Sequence, residues 1–135
     1  MKSLIVAAQE DNLEEVTAFV DEELKAFGCS KKIQMQIEIA IEEIFANIIH
    51  YAYHPELGDA EIRCEVLGDP LRVVIQFLDH GRPFNPLEKE DADTSVEALE
   101  QREGGLGIFL VKNNMDGVSY RYEDGSNILT VEKNL

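Results

Sequence analysis

Cysteine is scarce in this chain. Cys29 and Cys64 stand far apart in no CxxC spacing. That argues against a disulfide or a cysteine metal centre, and for two free thiols in a reducing cytoplasm. No apolar run approaches the roughly 20 residues that a membrane span needs. The stretch Met1-Lys2-Ser3-Leu4-Ile5-Val6 breaks at Gln9-Glu10-Asp11-Asn12, too short for a signal peptide. Bases are few, 12 against 27 acids, for a formal net charge of −15. Such a field repels nucleic acid and anionic membrane, so neither is expected as a partner. A nucleoside triphosphate would be repelled as well, unless a metal ion, backbone N–H groups and a helix N-terminus compensate locally.

What remains is ordinary globular material: 135 residues, 44% hydrophobic and 29% charged, enough for one compact domain over 1–135 with a core of its own. Residues 3–8 suit a first strand. Asn12 reads as an N-cap with Glu15 completing a capping box. Leu13, Val16, Val20, Leu24 and Phe27 then recur at helical spacing until Gly28. Ser30 can cap a second helix over about 31–53. Its stripe is Ile33, Ile37, Ile41, Ile44 and Ile48, widened by Ala40, Phe45, Ile49 and Ala52, with Pro55 and Gly58 ending it.

Strands are expected near 60–67 and 71–79, joined by Gly68-Asp69-Pro70. Residues 88–103 hold seven acids against Lys89 and Arg102 and read as a mobile loop, with one short helix around 96–99. A helix near 107–115 follows, then strands near 118–123 and 127–133 around the hairpin signal Asp124-Gly125. The order predicts an α+β two-layer sandwich: helices on one face of a mostly antiparallel mixed sheet.

Three places can carry chemistry. Glu43 and Asn47, four apart, share a helical face. The amide oxygen suits Mg²⁺ and the carboxylate can accept a proton, though the same pair also reads as a solvated flank. Asp79-His80-Gly81 follows a strand. A carboxylate there can accept a hydrogen bond from adenine's exocyclic amine, and Gly81 permits close approach to a flat base; the alternative is a plain Asp-x-Gly turn. Gly104-Gly105-Leu106-Gly107 precedes an apolar helix. It fits neither GxxxxGK[ST] nor GxGxxG after a strand, yet it can present N–H groups to phosphate. His50 and His54 have the spacing of a zinc pair without an obvious third ligand. Lys112 lies near phosphate or is merely a cation within a short helix.

Taken together, Glu42-Glu43-Ile44-Phe45-Ala46-Asn47, Asp79-His80-Gly81-Arg82-Pro83-Phe84 and Gly104-Gly105-Leu106-Gly107-Ile108-Phe109 resemble the N, G1 and G2 boxes of the GHKL (Bergerat-fold) ATP-binding superfamily. Within it, the chain looks like the bacterial anti-sigma-factor serine kinases. The likeness runs on through Met115-Asp116 to Asn127-x-Leu129-Thr130-x-x-Lys133. The resemblance implies Glu43 as catalytic base and Asn47 as Mg²⁺ ligand. It implies Asp79 as the adenine-reading acid with Gly81 beside it, and Gly104, Gly105 and Gly107 as the phosphate loop. Thr130 would be a threonine near adenine, and 88–103 the lid. Relatives carry His four residues after the Asn; here Tyr51 stands there, with His50 one place early.

The implied function is a cytoplasmic, homodimeric serine protein kinase using ATP and Mg²⁺. It would phosphorylate a STAS-domain anti-anti-sigma protein and bind a sigma factor. The acidic first helix, with Glu14 and Glu15, makes the sigma contact less secure than the nucleotide site. A non-catalytic ATP/ADP-gated binding switch is the alternative, and a scaffold that merely inherited the fold is a third. Histidine autokinase activity is disfavoured, because no separate dimerisation helix bears a phosphoacceptor His.

Overall fold

The computed structural model describes residues 1–53, 56–88 and 106–135. The expected lid, its short helix, Gly104, Gly105 and His54 fall wholly or almost wholly outside them. The described chain runs β1 (Lys2–Ala7), α1 (Leu13–Lys25), α2 (Lys31–Asn47), β2 (Asp59–Leu67), β3 (Arg72–Asp79), α3 (Leu106–Asn114), β4 (Gly117–Glu123) and β5 (Ser126–Asn134). The strands form one sheet in the order β1-β2-β3-β5-β4. Every pairing is antiparallel, so the parallel component implied by a mixed sheet is absent among the described residues. β2–β3 and β4–β5 are strands joined by short turns, and a hairpin pair must run in opposite directions.

The core lies between one sheet face and the helices. Alternate residues of β3 (Val73, Ile75, Phe77) meet Val16, Val20 and Leu24 of α1 and Ile37, Ile41, Ile44 and Phe45 of α2 within one cluster. Burial of one such side chain stabilises the fold by roughly 1.5–3 kcal/mol. No helix among the described residues is long and apolar enough to cross a membrane.

Local signals were kept where a side chain had one dominant partner. Ser30 Oγ accepts the Ile33 N–H at 3.2 Å, the expected N-cap. Gly28 ends the α1 segment at φ +68°, and the Asp124-Gly125 hairpin takes φ +52° and +78°. Asn12 behaves otherwise. It stands at the N-cap position without a side-chain cap bond. Its Nδ2 donates to the Ala7 carbonyl at 2.8 Å instead, tying α1 back to β1. The capping box with Glu15 does not form: Asn12 has helical backbone angles, φ −95° and ψ 0°, rather than the extended ones of an N-cap, and its side chain is held back toward Ala7.

The second helix also departs from expectation. Its α-helical part stops at Asn47, and Ile48–Tyr53 continue as a π-helical turn. Such wide turns often occur at functional sites. Here it carries Ala52 and Tyr53 onto the end of β3. Tyr53 is buried, its hydroxyl donating to the Asp59 carbonyl at 2.8 Å and accepting the His80 N–H at 2.7 Å. Gly58 lies under the ring, where any Cβ would collide with it.

Candidate functional site

Asp79 is the last residue of β3 and continues the row Val73, Ile75, Phe77 that faces the helices. The strand period thus drives a carboxylate into the interior, where Asp79 is only 4% exposed. Oδ1 accepts two hydrogen bonds, from the Gly81 N–H at 3.0 Å and from Asn127 Nδ2 at 2.8 Å. Burial pushes the acid above the usual carboxylate range, and these two donors and His80 oppose the rise.

A cavity opens above this carboxylate. Ile44, Ile48, Ala52, Phe77 and Leu129 form its apolar wall, with Phe84, Pro86 and Tyr120 alongside. Asn47, Asp79 and Asn127 supply the polar lining. An apolar slot with a few convergent polar groups is the usual form of a site for a flat organic ring. Asn47 and Asp79, 32 positions apart in sequence, meet here because the end of α2 crosses the end of β3.

Gly81 stands beside Asp79, as expected, but its lack of a side chain answers to a different neighbour. A Cβ there would fall on the Ala52 backbone, with the carbonyl carbon at 2.7 Å. The Ala52 carbonyl also accepts the Arg82 N–H at 3.1 Å. The close approach is thus between the π-turn and the loop after β3.

Glu43 sits one turn before Asn47, half-buried, with its carboxylate pressed against Gly107 at the start of α3. A Cβ on Gly107 would lie 3.2 Å from Glu43 Cδ and nearer still to Oε2. Burial, and then the neighbouring Glu42, raise the Glu43 acid above its ordinary value. A carboxyl group so shifted is a better proton acceptor once ionised.

Thr130 is not brought to the cavity. It pairs with Gln76 across β3–β5, and its Oγ1 accepts Gln76 Nε2 at 3.4 Å. Both side chains belong to the sheet face opposite Phe77, Asp79, Asn127 and Leu129, because successive strand residues alternate. The residue at that place is Asn127, directly opposite Asp79 in register. Sequence reasoning quoted Asn127 without assigning it a role. The available signal was phase: Leu129 and Val131 mark the buried row, and 127 belongs to it while 130 does not.

The two histidine expectations diverge. His50 is exposed on the far side of the π-turn, 3.8 Å from Glu10, so it does not stand in for the residue that Tyr51 replaces. Tyr51 stacks on Phe84, centroids 5.1 Å apart and planes 13° off parallel. Among the described residues, no cluster of three or more His, Cys, Asp or Glu could hold a metal by itself. Asn47 brings one hard amide oxygen to the cavity, a donor type that would suit a Mg²⁺ ion completed by ligands from outside the protein.

The profile of the family described as Histidine kinase-like ATPase domain matches residues 6–133. Serine-protein kinase RsbW of Staphylococcus aureus strains JH9 and Newman is 33% identical over 97 residues, covering 67% of this chain and 60% of that protein. The alignment thus spans about three fifths of the length of these relatives. Among solved structures, the Acinetobacter baumannii histidine kinase AdeS matches 99% of this chain and 68% of its own at 14% identity, with a TM-score of 0.53. That likeness speaks for the fold alone.

Proposed function

The chain belongs to the histidine kinase-like ATPase domain family, the GHKL group its motifs resemble, and on that premise we propose that it is an ATP-dependent serine protein kinase of the anti-sigma-factor type. The carrying observation is the shared cavity: Asn47 and Asp79 line one apolar slot, with the carboxylate buried in its wall.

Asp79 reads the base by accepting a hydrogen bond from the exocyclic amine of adenine, a group that 6-oxo purines lack. Ile44, Ile48, Ala52 and Leu129 exclude water around the ring. Asn47 would hold Mg²⁺ through its amide oxygen, and that ion would offset charge on the phosphates. Gly107, near the start of α3, and Gly104 and Gly105, just before it in sequence, would offer N–H groups and the positive end of the helix to the phosphate chain. Glu43 takes or orients the proton of the attacking serine hydroxyl. The serine belongs to a STAS-domain anti-anti-sigma protein, the kinase works as a homodimer in the cytoplasm, and a sigma factor is its second partner.

The similarity to serine-protein kinase RsbW supports the choice of phosphoacceptor. The test is transfer of labelled γ-phosphate from ATP to a purified STAS partner. Wild type transfers it, while Glu43→Ala keeps nucleotide binding and loses transfer; wild-type transfer by Glu43→Ala refutes the assigned base. The packing of Glu43 on Gly107 keeps a second reading in play, a nucleotide-gated binding switch, under which the STAS partner leaves the assay unmodified.

A further inference from the structure

The seam between α1 and α2 holds a buried oxygen without a donor. Asp21 Oδ1 is closed off from solvent and has no hydrogen-bond partner among the described residues. A buried acceptor left unpaired is costly, so its surroundings should contain a proton for it.

Four groups stand close. Lys25, one turn on along α1, lines the same small hollow as Asp21 but is exposed. The Cys29 thiol, also in that hollow, donates to the Ser30 carbonyl at 3.3 Å. Gln34 Nε2 donates to Glu38 Oε1 at 3.5 Å. The fourth is Glu38 of α2, whose carboxyl lies within hydrogen-bonding reach of Asp21. Two ionised carboxylates have no proton to share, whereas one protonated carboxyl can donate to the other. Glu38 is the group able to serve the buried oxygen.

The surroundings put that proton on Glu38. Burial, and then the hydrogen bond with Asp21 and its charge, raise the Glu38 acid above its ordinary value, and Gln34 opposes the rise. The charged and titratable groups around the pair are Lys25 of α1, Cys29 of the connecting turn and, one turn on along α2, Glu42; Lys25 and Glu42 are exposed. Glu38 itself is half-buried, so its proton can exchange with solvent.

We propose that Asp21 and Glu38 form a proton-operated latch between α1 and α2. It is closed when Glu38 donates its proton to Asp21 Oδ1. It opens when that proton leaves to solvent and two like charges face each other across the seam. The same α2 carries Glu43 and Asn47, so the latch fastens α1 to the helix that supplies part of the candidate site. The fold keeps the Glu38 proton where the unfolded chain has released it. Stability from the latch is therefore present at low pH, falls as pH rises from the ordinary value toward the raised one, and stays lost above that.

The experiment follows the Glu38 side-chain carboxyl by carbon-13 NMR in ligand-free protein, across about pH 5 to pH 8 and in EDTA so that no divalent cation replaces the proton. Wild type is compared with Asp21→Asn. Urea melts of wild type and Glu38→Gln are recorded at about pH 5 and pH 7. In wild type, Glu38 should titrate above its ordinary value. Asp21→Asn supplies a donor and removes the charge, so the midpoint should fall back toward that value, with only the effect of burial remaining. Glu38→Gln carries an amide that donates at every pH, so its stability should gain on wild type as pH rises.

A wild-type Glu38 that titrates at its ordinary value would overturn the latch. So would a midpoint that Asp21→Asn leaves unmoved, since burial would then be the whole cause. A gap between Glu38→Gln and wild type that is equal at both pH values would do the same. The two readouts use different variants, so a failure of either to fold leaves the other decisive.

Discussion

The Glu43 carboxylate occupies the space beside Gly107 that a side chain there would need. A proton-accepting group on α2 and a glycine at the start of α3 are thus paired by packing, although 64 positions separate them in sequence.

Gly107→Ala tests that pairing. The atoms it would strike are the end of a flexible side chain, and alanine is the better helix former by about 1 kcal/mol. Thermal denaturation should show stability held within about 1 kcal/mol. The displaced carboxylate should slow phosphotransfer by at least about tenfold, the effect expected when a general base is moved out of place. Equal rates for wild type and variant would separate Gly107 from the chemistry.

Asp79 should make stability depend on pH in a direction set by its burial. Its folded-state acid is raised above the ordinary value. Such a group is protonated in both states at low pH. Stability is lost as pH rises from the ordinary value toward the raised one, where the unfolded chain has released the proton and the fold still holds it, and the deficit is constant above that. Ligand-free Asp79→Asn, which has no charge to bury, should therefore gain stability over wild type between about pH 4 and pH 7. Urea melts at the two pH values read the difference. A gain confined to pH 4, or a loss that grows toward pH 7, would contradict it.

Tyr53→Phe removes one hydroxyl and the two part-buried bonds it makes, to the His80 N–H and the Asp59 carbonyl. The expected cost is about 0.5–1.5 kcal/mol, the ordinary net worth of a hydrogen bond, measured by urea denaturation. The Tyr53 hydroxyl is one of the ties on the loop after Asp79, so nucleotide affinity should fall as well. Wild-type affinity would mean that the bonds of Ala52 and Asn127 hold the loop without it.

Thr130→Val is the contrasting case. Thr130 faces away from the cavity and bonds Gln76 across the sheet. Stability should change by less than about 1 kcal/mol, and ATP affinity should stay within about twofold of wild type by isothermal titration. A large loss of affinity would restore the residue to the site.

Much of the fold could be read directly because the decisive interactions were short in sequence. Ser30 finds its partner three residues on, the Asp124-Gly125 turn closes on itself, and the isoleucines of α2 repeat at 3–4 residues. Where the backbone at a boundary departed from the usual angles, the expectation did not hold. Asn12 takes helical angles and ties back to Ala7 instead of capping, and the end of α2 widens into a π-turn that local propensity does not foretell.

The same division runs through the site. Glu43, Asn47, Asp79 and Gly81 are visible from spacing and from strand and helix period. Which β5 residue faces Asp79 is a question of register, and register comes from the pairing of strands 48 positions apart. A shift of three places exchanges one face of the sheet for the other, which is why Asn127, and not Thr130, stands opposite Asp79. Chain chemistry alone thus supplies the acid, the amide and the glycines. The folded sheet alone chooses the partner that polarises the acid, because a hydrogen bond across β3 and β5 exists only after both strands have paired.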